Sequence, residues 1–137
     1  MPSIFTRIIN KEIPCEKILE TESEIAFLDI LPCFHGHTLV VPKHEVMKLE
    51  QLSTEEVTAL MLTLQKTARA VSRAMGGLDY NIILNNGPHA GQEVPHVHFH
   101  IIPRAVNSSY YSFKNRKPYP EGEMSKIGQS IRNCLKD

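Results

Sequence analysis

The chain has 137 residues, 42% of them hydrophobic and 22% charged, a size that suits one domain around a single core. Fifteen Lys and Arg balance fifteen Asp and Glu, which excludes a strongly basic nucleic-acid-binding surface and any long charged tail. No apolar run approaches the ~20 residues of a membrane-spanning helix, and charge interrupts the N-terminus too early for a secretory leader. The cysteines, Cys15, Cys33 and Cys134, are odd in number and form no Cys-x-x-Cys pair, so reduced thiols in a cytoplasmic protein are expected.

Residues 3–10 are predicted to form a short helical turn. Lys17–Glu20 and Glu24–Leu28 flank the polar Thr21-Glu22-Ser23 and read as a hairpin. Thr38-Leu39-Val40-Val41 is a short β-branched strand ended by Pro42. Ser53-Thr54-Glu55-Glu56 reads as a capping box that opens a long helix. Val57, Leu60, Met61, Leu64, Ala68, Val71 and Met75 give that helix one apolar stripe, and Gly76-Gly77 stops it. A strand over 80–84 ends at the turn Asn85-Asn86-Gly87-Pro88. Residues 97–102 alternate as a strand that stops at Pro103. A shorter amphipathic helix closes the chain, with Met124, Ile127, Ile131 and Leu135 inward. The strands follow one another without a helix between each pair, so the class is α+β with a mainly antiparallel sheet.

His96, His98 and His100 alternate with Val97, Phe99 and Ile101. In a strand, positions i, i+2 and i+4 share one face, so the imidazoles form a row while the apolar residues enter the core. Two chemistries suit such a row. A metal site is the first, but outer Cα atoms ~13 Å apart do not converge easily on one tetrahedral ion. No cysteine lies nearby in sequence to complete it. The second is catalysis, with one imidazole as nucleophile and its neighbours as proton carriers and phosphate ligands. The preceding 85–95 segment is small and amide-rich, suited to aiming backbone N–H groups at phosphate oxygens. Catalysis is the reading adopted, with no metal and no cofactor. His35, His44 and His89 read as surface residues.

At these residues the chain resembles the histidine triad (HIT) family. His96-Val97-His98-Phe99-His100-Ile101-Ile102 meets the signature His-φ-His-φ-His-φ-φ, and Gly91-Gln92-Glu93-Val94-Pro95 is similar to the family's lead-in. Similarity extends to Ile4-Phe5, Ile8-Ile9, Ala26-Phe27-Leu28-Asp29-Ile30 and Gly36-His37-Thr38-Leu39-Val40-Val41-Pro42-Lys43. The signature region thus covers about 3–104 of a single 1–137 domain, leaving 105–137 as a variable C-terminal segment. Galactose-1-phosphate uridylyltransferases, distant relatives, carry Gln at the third triad position; His100 points to the hydrolase branches, and the layout is closest to the Hint-like one.

The resemblance implies a five-stranded HIT-like sheet, a homodimer in which two such sheets meet, and hydrolysis of nucleoside 5′-monophosphate derivatives. These would be AMP or GMP phosphoramidates, acyl-adenylates or dinucleoside polyphosphates. It assigns His98 as the nucleophile that forms a nucleotidyl-imidazole, His96 and His100 as flanking groups that hold phosphate and orient the ring, and His37 as their support. Asp29 would bind the ribose; Phe27, Ile30, Ile4, Phe5 and Ile8 would enclose a purine base. Asn85, Gly91, Gln92 and the backbone around Glu93 and Val94 would hold the phosphate and leaving group. On pattern alone the apolar members of this set read as core and Asp29 as the start of a turn. A second class of function is a nucleotide-binding regulatory module with incidental hydrolysis; the complete triad favours the enzyme.

The chain departs from the family pattern in several places. Glu93 stands where related proteins often have Ser, and an acceptor-only carboxylate is expected to point away from phosphate or to favour a basic leaving group. Ser3 and Thr6 occupy the places of a zinc-binding Cys-x-x-Cys found in some bacterial relatives, so structural zinc in that mode is not expected. No tryptophan is present. The Tyr110-Tyr111-Ser112-Phe113-Lys114-Asn115-Arg116-Lys117-Pro118-Tyr119 stretch interleaves aromatic and basic residues, a pattern that can stack on single-stranded nucleic acid. With zero net charge the favoured reading is instead a surface loop over the active site or the dimer contact.

Overall fold

Ser3 caps the first element, α1 (Ile4–Ile9): its hydroxyl accepts the Thr6 N–H at 3.0 Å, pairing a donor that a helix start leaves open. The computed structural model describes residues 1–106, 113 and 116–136. Strands β1 (Lys17–Glu20) and β2 (Glu24–Leu28) form the expected antiparallel hairpin around Thr21-Glu22-Ser23. The hairpin is tied down by buried Glu24, whose carboxylate accepts from Thr21 Oγ1, from Ser23 Oγ and, at 2.6 Å, from Thr63 Oγ1. β3 (Thr38–Pro42), β4 (Asp79–Leu84) and β5 (Phe99–Arg104) complete a five-stranded sheet of order β1-β2-β3-β5-β4. Every pairing is antiparallel, and with the helices this is an α+β fold.

Helix α2 (Thr54–Ala74) starts at the capping box, with Ser53 Oγ accepting from Glu56 N and Glu56 Oε1 accepting from Ser53 N. It ends where Gly76 N–H reaches Arg73 O and Gly77 N–H reaches Ser72 O, a pair of bonds that requires the left-handed turn glycine accepts readily. Its buried face holds Leu60, Leu64, Ala68 and Val71, together with Thr63, Thr67 and Ala70; Met61, expected inside, is 36% exposed. The two threonines are tolerated there because their hydroxyls donate to Glu24 and to Thr63 O. α3 (Glu123–Asn133) packs Met124, Ile127 and Ile131 on the same core, and Leu135, just past its end, joins them.

Alternation along the central strands sends Ala26, Leu28, Val40, Phe99 and Ile101 to the helical side. Ile25, Phe27, Leu39 and Val41 go to the other side, where they pack with Phe5 and half-buried Ile8. Both faces are therefore apolar, which explains the uninterrupted burial of β2 and β3.

β5 differs from the expected 97–102 strand at both ends. It begins at Phe99, because pairing with β3 and with β4 begins there, at Val40↔Phe99 and Leu84↔Phe99. It also runs through Pro103 to Arg104. Pairing with β3 has ended at Thr38↔Ile101, so Pro103 lacks only an N–H that no neighbour on that side requires.

Candidate active site

On the face opposite the long helix, α1, the end of β2 and the 85–94 loop enclose a cavity of about 520 Å³, within the range of small-ligand sites. Its apolar wall is Ile4, Phe5, Ile8, Phe27 and Ile30, and its polar wall includes Asp29, Asn85, Gly91, Glu93, His98 and His100, with Val94 between them. Twelve of the fifteen residues expected at the site therefore meet at one cavity. The exceptions are His96, His37 and Gln92.

The imidazoles are not equivalent. His96 is fully buried, its Nε2 at 2.8 Å from Pro42 O and its Nδ1 at 2.6 Å from Ser3 Oγ. A carbonyl only accepts, so Nε2 carries the proton and Ser3 O–H donates to Nδ1. With both nitrogens engaged inside the fold, His96 has none to offer a phosphate, which corrects half of its expected role. Its backbone oxygen, however, accepts from His98 Nδ1 at 2.7 Å. The proton of His98 is thereby placed on Nδ1 and the lone pair on Nε2.

A second chain of donors fixes His100. Cys33 N–H donates to His37 Nδ1 at 3.0 Å, so the His37 proton sits on Nε2. That nitrogen lies 2.9 Å from His100 Nδ1 and donates to it, leaving the His100 proton on Nε2. Among the described residues no buried side-chain nitrogen or oxygen lacks a partner; His98 Nε2 and His100 Nε2, which have none, open onto the cavity instead. Thus one ring presents a lone pair and its neighbour, with centroids 4.9 Å apart, an N–H donor.

Burial holds all four rings neutral. Desolvation lowers the pKa of His96 and His98 below the ordinary histidine value. Desolvation, reinforced by neighbouring positive charge, takes His37 and His100 to about 3. Near pH 7 His100 therefore presents a neutral N–H and not an imidazolium. Asp29 lies 3.7 Å from His37 Nε2 and accepts the Leu31 N–H; burial raises its pKa, while that hydrogen bond and Arg116 pull the other way. Asp29, His37 and His100 have ligand atoms within 4.8 Å of one another, but the proton between the two rings would have to leave before a cation could bind both.

Gln92 is buried inside the loop. Its carbonyl accepts Gly87 N–H at 2.8 Å and its amide donates to Met47 O at 2.9 Å, so it shapes the loop from behind. Gly87 and Gly91 carry φ of 107° and 95°, positive backbone angles that glycine adopts without strain.

Two cavity residues come from the C-terminal segment and were not among the expected site residues. Of 110–119, residues 110–112, 114 and 115 lie outside the described set. Phe113 packs on His100 and His37, with centroids 5.1 and 6.3 Å away, and Arg116 stacks over Phe113 at 5.4 Å. The part of the segment described thus covers the site, as the favoured reading of it expected. The basic and aromatic pattern was the available signal. His35 and His89 are exposed, and exposed His44 bonds Glu56.

A HIT domain is matched over residues 10–107, and the chain belongs to the HIT family. It is 39% identical to adenosine 5′-monophosphoramidase hnt1 of Schizosaccharomyces pombe, over 99% of this chain and all of that one. It is 38% identical to adenylylsulfatase HINT3 of Arabidopsis thaliana, over 96% of this chain and 68% of that one. The crystal structure of a Hit-like protein of Bartonella henselae, described as involved in cell-cycle regulation, superposes with a TM-score of 0.88 at 33% identity, covering 96% of this chain and 95% of that one. Among the described residues no helix is long and apolar enough to cross a membrane.

Proposed function

We propose that the protein is a nucleotide hydrolase that cleaves nucleoside 5′-monophosphate derivatives, purine phosphoramidates among them, through a covalent nucleotidyl intermediate on His98. The observation that carries this reading is the Nδ1–H to His96 O bond, which leaves a neutral imidazole lone pair open to the cavity. Family membership and the activities named for the relatives support the same class of reaction.

In the first step His98 Nε2 bonds to the α-phosphorus and the bond from phosphorus to the leaving group breaks. A phosphate set against His100 raises that ring's proton affinity, so that it takes up a proton from solvent, and the imidazolium so formed hands a proton to a departing amine. Water then attacks the phosphorus, the P–Nε2 bond breaks, the proton of water passes to solvent and the nucleoside monophosphate leaves. Asp29 binds the ribose hydroxyls; Ile4, Phe5, Ile8, Phe27 and Ile30 enclose the base. Asn85, Gly91 and the backbone of Glu93 and Val94 surround the phosphate. His96, His37 and Gln92 act as positioning residues.

The proposal extends to the whole chain as one HIT domain, because α1, ahead of the matched 10–107 region, supplies cavity wall. It includes a homodimer. β4 is an edge strand whose outer side pairs with no other described strand, with Tyr80 and Ile82 exposed, and an antiparallel edge suits a second copy of itself. A cytoplasmic setting fits three free cysteines.

The test is intact-protein mass spectrometry after brief mixing with adenosine 5′-phosphoramidate, quenched without acid, beside His98→Ala. The expected result is an added mass of one AMP, absent in the variant, which still binds AMP. No adduct and no turnover on adenine or guanine substrates would favour a nucleotide-binding regulatory module.

A further inference from the structure

Phe5 packs edge-on to His98 at 4.8 Å, whereas Phe113 packs on His100, so the histidine pair has an aromatic group at each end. The Phe5 end is walled by aliphatic side chains suited to a base. The Phe113 end carries a cation. Arg116 lines the cavity with its side chain 17% exposed, its Nε donating to Phe113 O at 2.9 Å. Its Nη2 reaches the Glu93 carboxylate at 3.2 and 3.4 Å, long for a charge-assisted pair, and Glu93 itself is 67% exposed. The guanidinium is thus anchored by backbone and ring but only loosely held by its counter-ion. Nη1 has no hydrogen bond to another described residue, so the fork retains donors for an incoming anion.

We propose that Arg116, stacked on Phe113 and loosely paired with Glu93, forms an anion subsite beside His100 that takes a leaving group with its own negative charge, a sulfate or phosphate joined to the nucleotide. This rests on the hydrolase reading above and deepens it.

The chemistry separates two kinds of substrate. When a P–N bond breaks, the departing amine needs a proton. When the bond from phosphorus to a sulfate or phosphate oxygen breaks, the electron pair leaves on that oxygen. Fixed positive charge then stabilises the transition state without a proton transfer. Glu93 has opposite consequences for the two. Its carboxylate competes with an anionic leaving group for Arg116 and repels it, while a neutral amine is indifferent to that contest.

The test compares kcat/KM for adenosine 5′-phosphosulfate and for adenosine 5′-phosphoramidate, read as their ratio. The wild type is expected to turn over both. Arg116→Gln should lower the phosphosulfate-to-phosphoramidate ratio about tenfold, Arg116→Lys should restore most of it, and Glu93→Gln should raise it. Lys117→Ala, an exposed neighbouring cation, controls for general charge and should leave the ratio unchanged. A ratio changed less than threefold by Arg116→Gln overturns the subsite, as does a fall in Glu93→Gln or an inert wild type on phosphosulfate. Failure of the hydrolase reading is distinct: no wild-type turnover of either substrate, or His98→Ala retaining turnover.

Discussion

Lowering the pH should destabilise this protein through its buried histidines. His37 and His100 are 0% and 6% exposed and take up a proton in the fold only near 3. In the unfolded chain each protonates at about 6.5. Above pH 7 both states are neutral and the pair contributes nothing to pH dependence. Below 6.5 the unfolded state binds protons the folded state refuses, so stability falls with pH until about 3. Integrated from pH 7.5 to 5.0, each ring removes about 2 kcal/mol, or about 4 kcal/mol together, against a typical total of roughly 5–15. His96 and His98, shifted the same way, add to the loss; Asp29, shifted upward, opposes it. Urea unfolding followed by far-UV circular dichroism at four pH values in that window, at fixed protein concentration, measures the effect. His100→Gln keeps an acceptor for His37 Nε2–H and should remove about half of the pair's contribution. A wild-type loss under about 1 kcal/mol, or an unchanged slope in His100→Gln, would refute the assignment of buried neutral rings.

Two further substitutions test the frame around the site. Ser3→Ala removes both the α1 cap and the donor to His96 Nδ1; it should destabilise by about 2–3 kcal/mol in urea unfolding and lower kcat more than it raises KM, since His98 hangs from the His96 carbonyl. Gly36→Ala places a Cβ 3.1 Å from Met75 Sδ at a φ of +94°, so a loss of about 1–3 kcal/mol should appear as a lower Tm.

Local signals made much of the fold legible. The hairpin, the Ser53 capping box, the Gly76-Gly77 stop and the α3 face each depend on residues a few positions apart, and all formed as expected. The cavity wall was legible only through family resemblance, because Ile4, Ile8 and Phe27 look like any core residues until a sheet face and a short helix leave a space between them. Gln92 was misread for a related reason. Its amide looks available in sequence, yet its partners are the Gly87 N–H and the Met47 carbonyl, the latter 45 positions away. Thr63 and Thr67 escaped because an apolar stripe does not register hydroxyls that find acceptors inside. Arg116 escaped because its contact with Glu93 spans 23 positions through a segment without regular spacing.

The row of histidines itself depends on the place where β5 starts. Had the strand begun at Val97, as alternation predicts, the three rings would stand in parallel and the His96 carbonyl would be directed to the sheet ladder. Pairing instead begins at Phe99, and the preceding residues turn: His96 N–H reaches Val94 O at 2.8 Å and Val97 N–H reaches Val46 O at 2.8 Å. His96 O is thereby left to accept from the ring two residues on, which sets the His98 lone pair toward the cavity. His100, already inside the strand, cannot be set that way, and it receives its tautomer from His37 across the sheet. A sequence of three identical side chains at equal spacing thus yields an anchor, a ring with an open lone pair and a donor. The difference among them arises from where backbone pairing stops, and a substitution that extends β5 toward Val97 would impair His98 without altering any histidine.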